Sequence, residues 1–488
     1  MDCGIIGIFS QSDVIEELIR GLKLLQHRGQ SSSGIIIFDK GNIFCVKNAG
    51  LVRNLMKEEE IKNYPGSIGI GHTRYSTAGG DTPEDLKHNA QPEYIISPFV
   101  AATHNGNIYN TNEIMNNLSR KPRTECDVQS LLLSIAEDLD DRKINEESIF
   151  YAGERLMRKI KGSYSAIFLT MNKIKPYLFA ITDPYKVRPL VLGKKSKDYV
   201  KTWYLTSETR VLKKLGAEYV MDVPGGSVLI IDMENEEPLI KRFFKNTPHH
   251  CMFEWIYFSR PDSDIEKRSV HEIRVEIGKQ LAKNFPVDAD IIVPVPESGR
   301  RYATGYSKES GIPIEEGLMK DDTMRTFILQ TQEKRDEMAN EIVSAIEAAI
   351  RGKKIIVTDD SLIRGTNMRN IIKKLRNAGA KEIHVRIGCP PIIAPCYLGI
   401  DMKSKKEFIA LDKDGKMKDW KEIAKEIGAD SLAYGSIKNL HDIITQNKFN
   451  LCTGCLDFPN GYPPRMKKDV VELIKNDMPG KRAYENQG

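Results

Sequence analysis

Residues 353–370 read KKIIVTDDSLIRGTNMRN. Ile355, Ile356 and Val357 are the continuous apolar run that a strand buried on both faces requires, and the run ends in two adjacent acids, Asp359 and Asp360. A short polar loop, Ser361 to Asn367, then leads into an apolar period that predicts a helix from near Met368. Such a strand–loop–helix gathers backbone amides at the positive end of a helix dipole, an arrangement suited to a phosphate dianion. Gly365 lets the backbone approach closely and Thr366 adds a hydroxyl. The acids stand at the carboxyl end of the strand, where open α/β sheets place ligands and where carboxylates can bind ribose hydroxyls or a metal. The plainer alternative is a turn whose acids merely cap the helix. No GxxxxGK[ST] pattern occurs, which disfavours an ordinary P-loop hydrolase.

Outward from this stretch, from about Val270, helical and buried-strand patterns alternate: VHEIRVEIGKQLAKNF, ADIIVPVP, RYATGYSKESG, EMANEIVSAIEAAIRG, KKIIVTDD, MRNIIKKLRNAGA, EIHVRIG. That alternation predicts a parallel sheet covered on both faces. The N-terminal half differs. CGIIGIF is followed by a helix with Ile15, Leu18, Ile19, Leu22 and Leu25 on one face and His27, Arg28 and Gly29 as its stop. Strand-like runs then recur at SGIIIFD, SIGIGHT, FVAATHNG, YSAIFLTM, YLFAITD, WYLTS and SVLIID, predicting an α+β sandwich around antiparallel sheets. The polar segment 234–250 reads as a linker between the halves, and residues 465–488 as a charged helix and solvated tail.

The 488 residues suffice for two or three domains at about 150 residues each. With 72 Lys+Arg against 67 Asp+Glu, the net charge of +5 indicates no polyanion-binding surface, so no nucleic acid is expected as partner. No run of about 18 apolar residues exists and the N-terminus lacks a basic region, so no membrane partner is expected either, and a cytoplasmic protein is. Eight irregularly spaced cysteines speak against a disulfide framework.

The 353–370 stretch resembles the 5-phosphoribosyl-1-pyrophosphate (PRPP) loop of type I phosphoribosyltransferases. The resemblance implies that Asp359 and Asp360 bind the ribose hydroxyls, while Ser361, Arg364, Gly365 and Thr366 hold the 5-phosphate. It further implies that IIVPVPESGRRYATGY contacts pyrophosphate and Mg²⁺, with Ser298 and the two acids at the metal, and that MKDDTMRTFI is the catalytic loop, offering Lys320 and Arg325 to pyrophosphate. In the N-terminal half, CGIIGI, HRGQ, GHTRYST and HNGN occur in the order seen in class II, N-terminal-nucleophile glutamine amidotransferases. Cys3 would then be the nucleophile, its free α-amine the base, Asn105 and Gly106 the oxyanion donors, and Arg74 and Asp127 the partners of the glutamine carboxylate and ammonium. Since Met1 and Asp2 precede Cys3, an active chain is expected to begin at Cys3.

Together the halves resemble the glutamine PRPP amidotransferase family over about residues 3–465. The implied architecture is a four-layer N-terminal-nucleophile sandwich over 3–235, a phosphoribosyltransferase domain over 250–465 and a tail over 466–488. The implied reaction joins ammonia from glutamine to C1 of PRPP, the first committed step of purine synthesis. The resemblance also implies purine nucleotide feedback inhibitors and a homo-oligomer, a tetramer. Some positions depart from the family pattern: Ser31 stands where an acid is usual, Lys186 where Gly is usual and Asn367 where Thr is expected, and the catalytic loop carries extra acids. These keep open a weakened regulatory paralogue acting as a nucleotide sensor.

Cys452 and Cys455 form a CxxC turn whose thiolates can reach one metal centre. Cys251 and Cys396 lie where the Bacillus-like branch of the family has cysteines, which implies a [4Fe–4S] cluster; Zn²⁺ satisfies the same four ligands by chemistry alone. Cys45, Cys126 and Cys389 read as ordinary thiols.

Overall fold

The computed structural model describes residues 3–75, 82–140, 143–173, 175–320, 343–402 and 404–476. Its first half stacks two antiparallel sheets. One has seven strands in the spatial order Glu218–Asp222, Val191–Lys197, Val200–Thr206, Gly4–Phe9, Ile68–Arg74, Ser32–Asp39, Asn42–Ala49. The other has six, Leu239–Arg242, Ser227–Ile231, Pro176–Thr182, Gly162–Met171, Val100–Ile108, Glu93–Ile95. Strand alternation sorts the side chains: Ile5 and Phe9 point between the sheets against Leu169 and Leu178, whereas Ile6 and Ile8 point outward against Leu18 and Leu22 of the helix Ile15–Leu24. On the opposite outer face the helices Val128–Asp140 and Glu146–Lys159 bury Leu131, Ile149 and Leu156 against Phe168 and Phe179. Helix, sheet, sheet, helix are the four layers anticipated from the sequence.

The second half holds a parallel sheet in the order Ile291–Pro294, Lys354–Asp359, Glu382–Ile387, Ser431–Tyr434. Ile355 and Val357 join the core containing Met368, Ile372 and Leu375 of the helix Thr366–Asn377. Ile356 faces the other way, against Leu281, Ala303 and Tyr306 of the helices Val270–Asn284 and Arg300–Ser310. Both faces are covered, which is why these strands read as unbroken apolar runs.

Three expectations need correction. The stretch 337–352 reads as one helix, yet Val343–Ala345 is a strand paired antiparallel with Leu318–Lys320, and only Glu347–Ile350 is helical; residues 337–342 lie outside the described residues. Here a long-range partner overrides local helix preference. Segment 234–250 is no plain linker: Leu239–Arg242 extends the six-stranded sheet, and His249–Cys251 pairs in parallel with Asn450–Cys452. The helix Lys467–Lys475 is not wholly solvated, because Val470 is buried and Asp469 accepts the Tyr109 hydroxyl at 2.9 Å. Residues 477–488 lie outside the described residues.

Candidate functional site

Cys3 leads into the strand Gly4–Phe9, whose register opposite Ile68–Arg74 (Gly4 against Thr73) brings the cysteine to the Arg74 end of its neighbour. Its carbonyl accepts the Arg28 Nε–H at 2.9 Å. Strand Val100–Ile108 of the facing sheet packs over both, and His72 Nε2 reaches the His104 carbonyl at 3.2 Å. On one edge of that strand the amides of His104 and Ile108 end on side chains, Gln91 Oε1 at 2.8 Å and Asp127 Oδ2 at 3.1 Å. By strand alternation the Gly106 amide lies between them on the same edge. A Cβ at Gly106 would stand 2.0 Å from the Ser163 carbonyl, so only glycine fits. Asn105 is fully buried, and neither atom of its amide has a hydrogen-bond partner among the described residues.

The charges around this site are balanced from within the protein. Burial opposes ionisation of Asp127, but the His104 ring (Nε2 at 3.2 Å) and the Ile108 amide outweigh it and leave the carboxyl below its usual range. Burial, with His104 and Arg74 nearby, holds His72 neutral. Arg28, read from sequence as a helix stop and as part of the HRGQ motif, is wholly buried: it forks onto Glu254 (2.6 and 3.0 Å) and reaches Glu208 (2.9 Å). Glu208 also accepts His27 Nε2 at 2.7 Å, Ser263 Oγ at 2.7 Å and the Arg260 amide at 3.0 Å. The one sequence signal was its place in HRGQ; its partners, 180 and 226 residues away, gave none.

The second site sits at the carboxyl end of the parallel sheet, in a cavity of about 510 Å³ lined by Ser298, Asp359, Asp360, Thr366, Tyr75 and Asp401 among others. Ser298 Oγ donates to Asp359 Oδ1 (2.6 Å), the Asp360 amide donates to the same oxygen (2.9 Å), and Ser361 donates to Asp360. Gly365 takes the left-handed φ of +77° that turns the loop into the helix at Thr366. Burial, then mutual repulsion, pushes the Asp359 carboxyl well above its ordinary range, and burial raises Asp360 likewise. Two such acids flanked by a hydroxyl are oxygen donors suited to Mg²⁺, whose charge restores their ionised form. Arg364 lines the cavity and also pairs with Glu407. Lys320 lies at the end of the hairpin, paired with cavity-lining Val343. Arg325 lies outside the described residues.

The four cysteines at the junction are all buried. Cys251 pairs in register with Cys452, and the Cys455 carbonyl accepts the Ile393 and Ala394 amides at 2.9 and 3.1 Å, docking the Cys396 segment on the CxxC turn. The Leu398 amide donates to Cys396 Sγ at 3.3 Å. Burial and then their neighbours, one another's thiols among them, push Cys251 and Cys455 far up and Cys452 up to about 12. Among the described residues no three metal-ligating side chains stand at the spacing of one ion. The donor set itself, four thiols in one dry neighbourhood that disfavours free thiolates, fits a metal centre that neutralises them. Cys389, also buried, donates its amide to the Asp360 carbonyl at 2.7 Å.

Lys186, where the resemblance led to the expectation of glycine, adopts φ +50°, and its amine is buried against Glu266 (2.7 Å) and Asp222 (3.5 Å). The departure is therefore accommodated by an ion pair. Ser31 donates its amide to the Arg74 carbonyl at 2.9 Å, helping to hold that strand end.

A family described as a glutamine amidotransferase domain matches residues 72–214. The chain is 39% identical over 487 residues to an amidophosphoribosyltransferase of Methanothermobacter thermautotrophicus, covering 96% of each. It is 38% identical to that of Methanocaldococcus jannaschii, covering 96% of this chain and 99% of the relative. Among solved structures it superposes on the glutamine PRPP amidotransferase of Bacillus subtilis complexed with ADP and GMP with a TM-score of 0.81, at 32% identity, covering 94% and 97% of the two chains. A structure described as the allosteric regulatory enzyme of purine biosynthesis gives 0.82, at 33% identity.

Proposed function

This chain belongs to the amidophosphoribosyltransferase family, and from that premise we propose how its residues divide the work. The enzyme hydrolyses glutamine in its N-terminal half and joins the released ammonia to C1 of PRPP in its C-terminal half, the first step of purine biosynthesis. Cys3 Sγ attacks the glutamine side-chain amide, with its own α-amine (ordinary pKa near 8) as base once residues 1–2 are gone. Asn105 Nδ2 and the Gly106 amide receive the oxyanion; Arg74 and Asp127 hold the glutamine carboxylate and ammonium. Ammonia leaves, water cleaves the thioester, and glutamate departs. In the second half Asp359 and Asp360 hold the ribose hydroxyls, and Ser361, Arg364, Gly365 and Thr366 hold the 5-phosphate. Lys320 and Arg325 serve the pyrophosphate, which leaves as ammonia bonds to C1. Mg²⁺, held by Ser298, Asp359 and Asp360, would offset the charge of the leaving group.

The observation that carries this reading is the Asn105 amide. A wholly buried side chain with both polar atoms unmet among the described residues is costly, and it is kept here beside Gly106, on a strand that packs against the strand following Cys3. Pyrophosphate release measured with glutamine and separately with ammonia tests it. Asn105→Ala should lose the first and keep the second; loss of neither overturns the assignment. A nucleotide sensor without catalysis would release pyrophosphate with neither nitrogen source.

Cys251, Cys396, Cys452 and Cys455 would hold a [4Fe–4S] cluster, a structural tie in a reaction that moves no electrons. Protein purified without oxygen should be brown, with a broad band that bleaches in air. Colourless, fully active protein with one zinc per chain would replace iron by zinc and spare the ligands. Purine nucleotides are proposed as regulators on the strength of the relative bound to ADP and GMP, and the assembly as a cytoplasmic homotetramer.

A further inference from the structure

The strand that carries Asn105 and Gly106 is gripped by the other half of the molecule. Asn107 Nδ2 donates to the Tyr397 carbonyl (2.8 Å), and Ser163 Oγ, on the neighbouring strand, donates to the Leu398 carbonyl (2.8 Å). The Leu398 carbonyl also accepts the Arg188 guanidinium, and all three bonds are buried. The next residue, Gly399, has φ +111°, and a Cβ there would stand 3.2 Å from the Gly106 backbone and 2.7 Å from Arg188. This contact falls where the strand is least supported: Glu93–Ile95 pairs only with Val100–Ile108's first three residues, so beyond Ala102 that edge has no strand partner among the described residues. The grip is itself stiff. The Cys396 amide closes the loop on the Met402 carbonyl at 3.0 Å, and the Met402 amide bonds the Ile400 carbonyl at 2.8 Å. Ile400, Asp401 and Met402 then line the second cavity.

We propose that Tyr397–Gly399 is a positioning element of the glutaminase reaction supplied by the phosphoribosyltransferase half. It fixes the height of the Asn105–Gly106 backbone so that both donors meet the tetrahedral oxyanion rather than the ground-state carbonyl. The inference rests on the oxyanion assignment made above. Two carbonyls and one glycine suffice: the carbonyls anchor the side chains flanking Gly106, and the missing Cβ lets the loop backbone lie directly on it. Oxyanion donors act through distance, so a displacement of a few tenths of an ångström at Gly106 weakens the transition state more than substrate binding.

The test uses the whole two-domain chain beginning at Cys3, with Ser163→Ala and, separately, Gly399→Ala. Four quantities are read: kcat and KM for glutamine hydrolysis, ammonia-dependent pyrophosphate release, and the rate at which iodoacetamide alkylates Cys3, followed on its peptide by mass spectrometry. Removing an oxyanion donor outright costs about 10²–10³ in kcat, so a displaced donor should cost about tenfold. Glutamine KM, the ammonia reaction and the alkylation rate should hold at wild-type values. Alkylation consumes the thiolate without any oxyanion, so a loss confined to hydrolysis separates a displaced donor from a generally disturbed site. Unchanged kcat in both variants overturns the proposal, as does a parallel fall in alkylation. Should Gly399→Ala fail to fold, Ser163→Ala decides alone. Asn105→Ala is run beside them: if it hydrolyses glutamine normally, the oxyanion assignment falls, whereas an inactive Asn105→Ala with two normal loop variants removes the positioning role alone.

Discussion

The two reaction sites bury their acids in opposite ways. Near the Cys3 strand, Glu208 is a buried carboxylate and Asp127 a half-buried one; His27 and Arg28 around the first and His104 beside the second outweigh the cost of desolvation and hold both below their usual range. At the end of the parallel sheet, Asp359 and Asp360 have chiefly each other and neighbouring hydroxyls, with Arg274 as a nearby cation, and both are pushed up. The first site is electrically complete before anything binds. The second stays in deficit, which a divalent cation and a polyol can make good. Charges already balanced suit a small amide whose chemistry needs fixed donors. A charge-hungry pocket suits a substrate that arrives with metal and leaves a pyrophosphate behind.

That contrast can be broken at several points. The largest effect should come from Cys3→Ala, which should lower glutamine-dependent synthesis by on the order of 10⁴-fold or more while ammonia-dependent synthesis persists. Equal loss of both would mean that the two sites are not separable. Next, Arg28→Ala leaves Glu208 and Glu254 buried without their guanidinium, and the N-terminal half should lose about 3–5 kcal/mol of stability, read as a lowered calorimetric midpoint. Asp359→Asn or Asp360→Asn should cost about 1.5–3 kcal/mol in kcat/KM for PRPP, with either nitrogen source. These same substitutions should abolish stabilisation by Mg²⁺, measured as the shift in melting midpoint on adding the ion. Because both acids take up protons at higher pH than ordinary carboxylates, Mg²⁺ stabilisation in the parent chain should fade on acidification before an exposed Asp would titrate, above about pH 4. The smallest effect concerns Glu208, whose carboxyl is held well below the ordinary glutamate value of 4.5 by His27 and Arg28. Its contribution to stability is therefore present above that value and is lost as pH falls through and below it. Glu208→Gln should flatten the acid limb of a stability–pH curve, and an unchanged limb would remove Glu208 from the balance.

Where the chain's information is local, the sequence reading followed the fold closely. Ile355–Val357 with its acids, the helix after Gly365, and the apolar strand CGIIGIF each depend on neighbours within a few residues. Reading failed where a distant segment decides. Val343–Ala345 looks helical until Leu318–Lys320 is beside it, and Leu239–Arg242 looks like linker until the sheet edge accepts it. Arg28 could be read as a helix stop and a member of HRGQ, but nothing near it announces Glu254. The Tyr397–Gly399 grip was equally invisible: it works through main-chain carbonyls and an absent Cβ, which leave little trace in residue type. Of the candidate residues, Ser298, Asp359, Asp360 and Thr366 line one cavity, while the distant supports around them were not legible at all.

The pairing of His249–Cys251 with Asn450–Cys452 has a consequence for how the molecule is made. Cys251 and Cys452 sit side by side, yet 201 positions separate them along the chain. At synthesis rates of about 5–20 residues per second, the first cysteine waits roughly 10–40 s for the second to leave the ribosome. Throughout that interval the junction between the halves lacks its closing strand, and the Cys396 loop that grips the glutaminase strand lacks the turn it docks on. The Asn450–Cys455 segment thus acts as a completion signal: a chain that stops short of it has both half-sites encoded but lacks the strand and turn that close the junction.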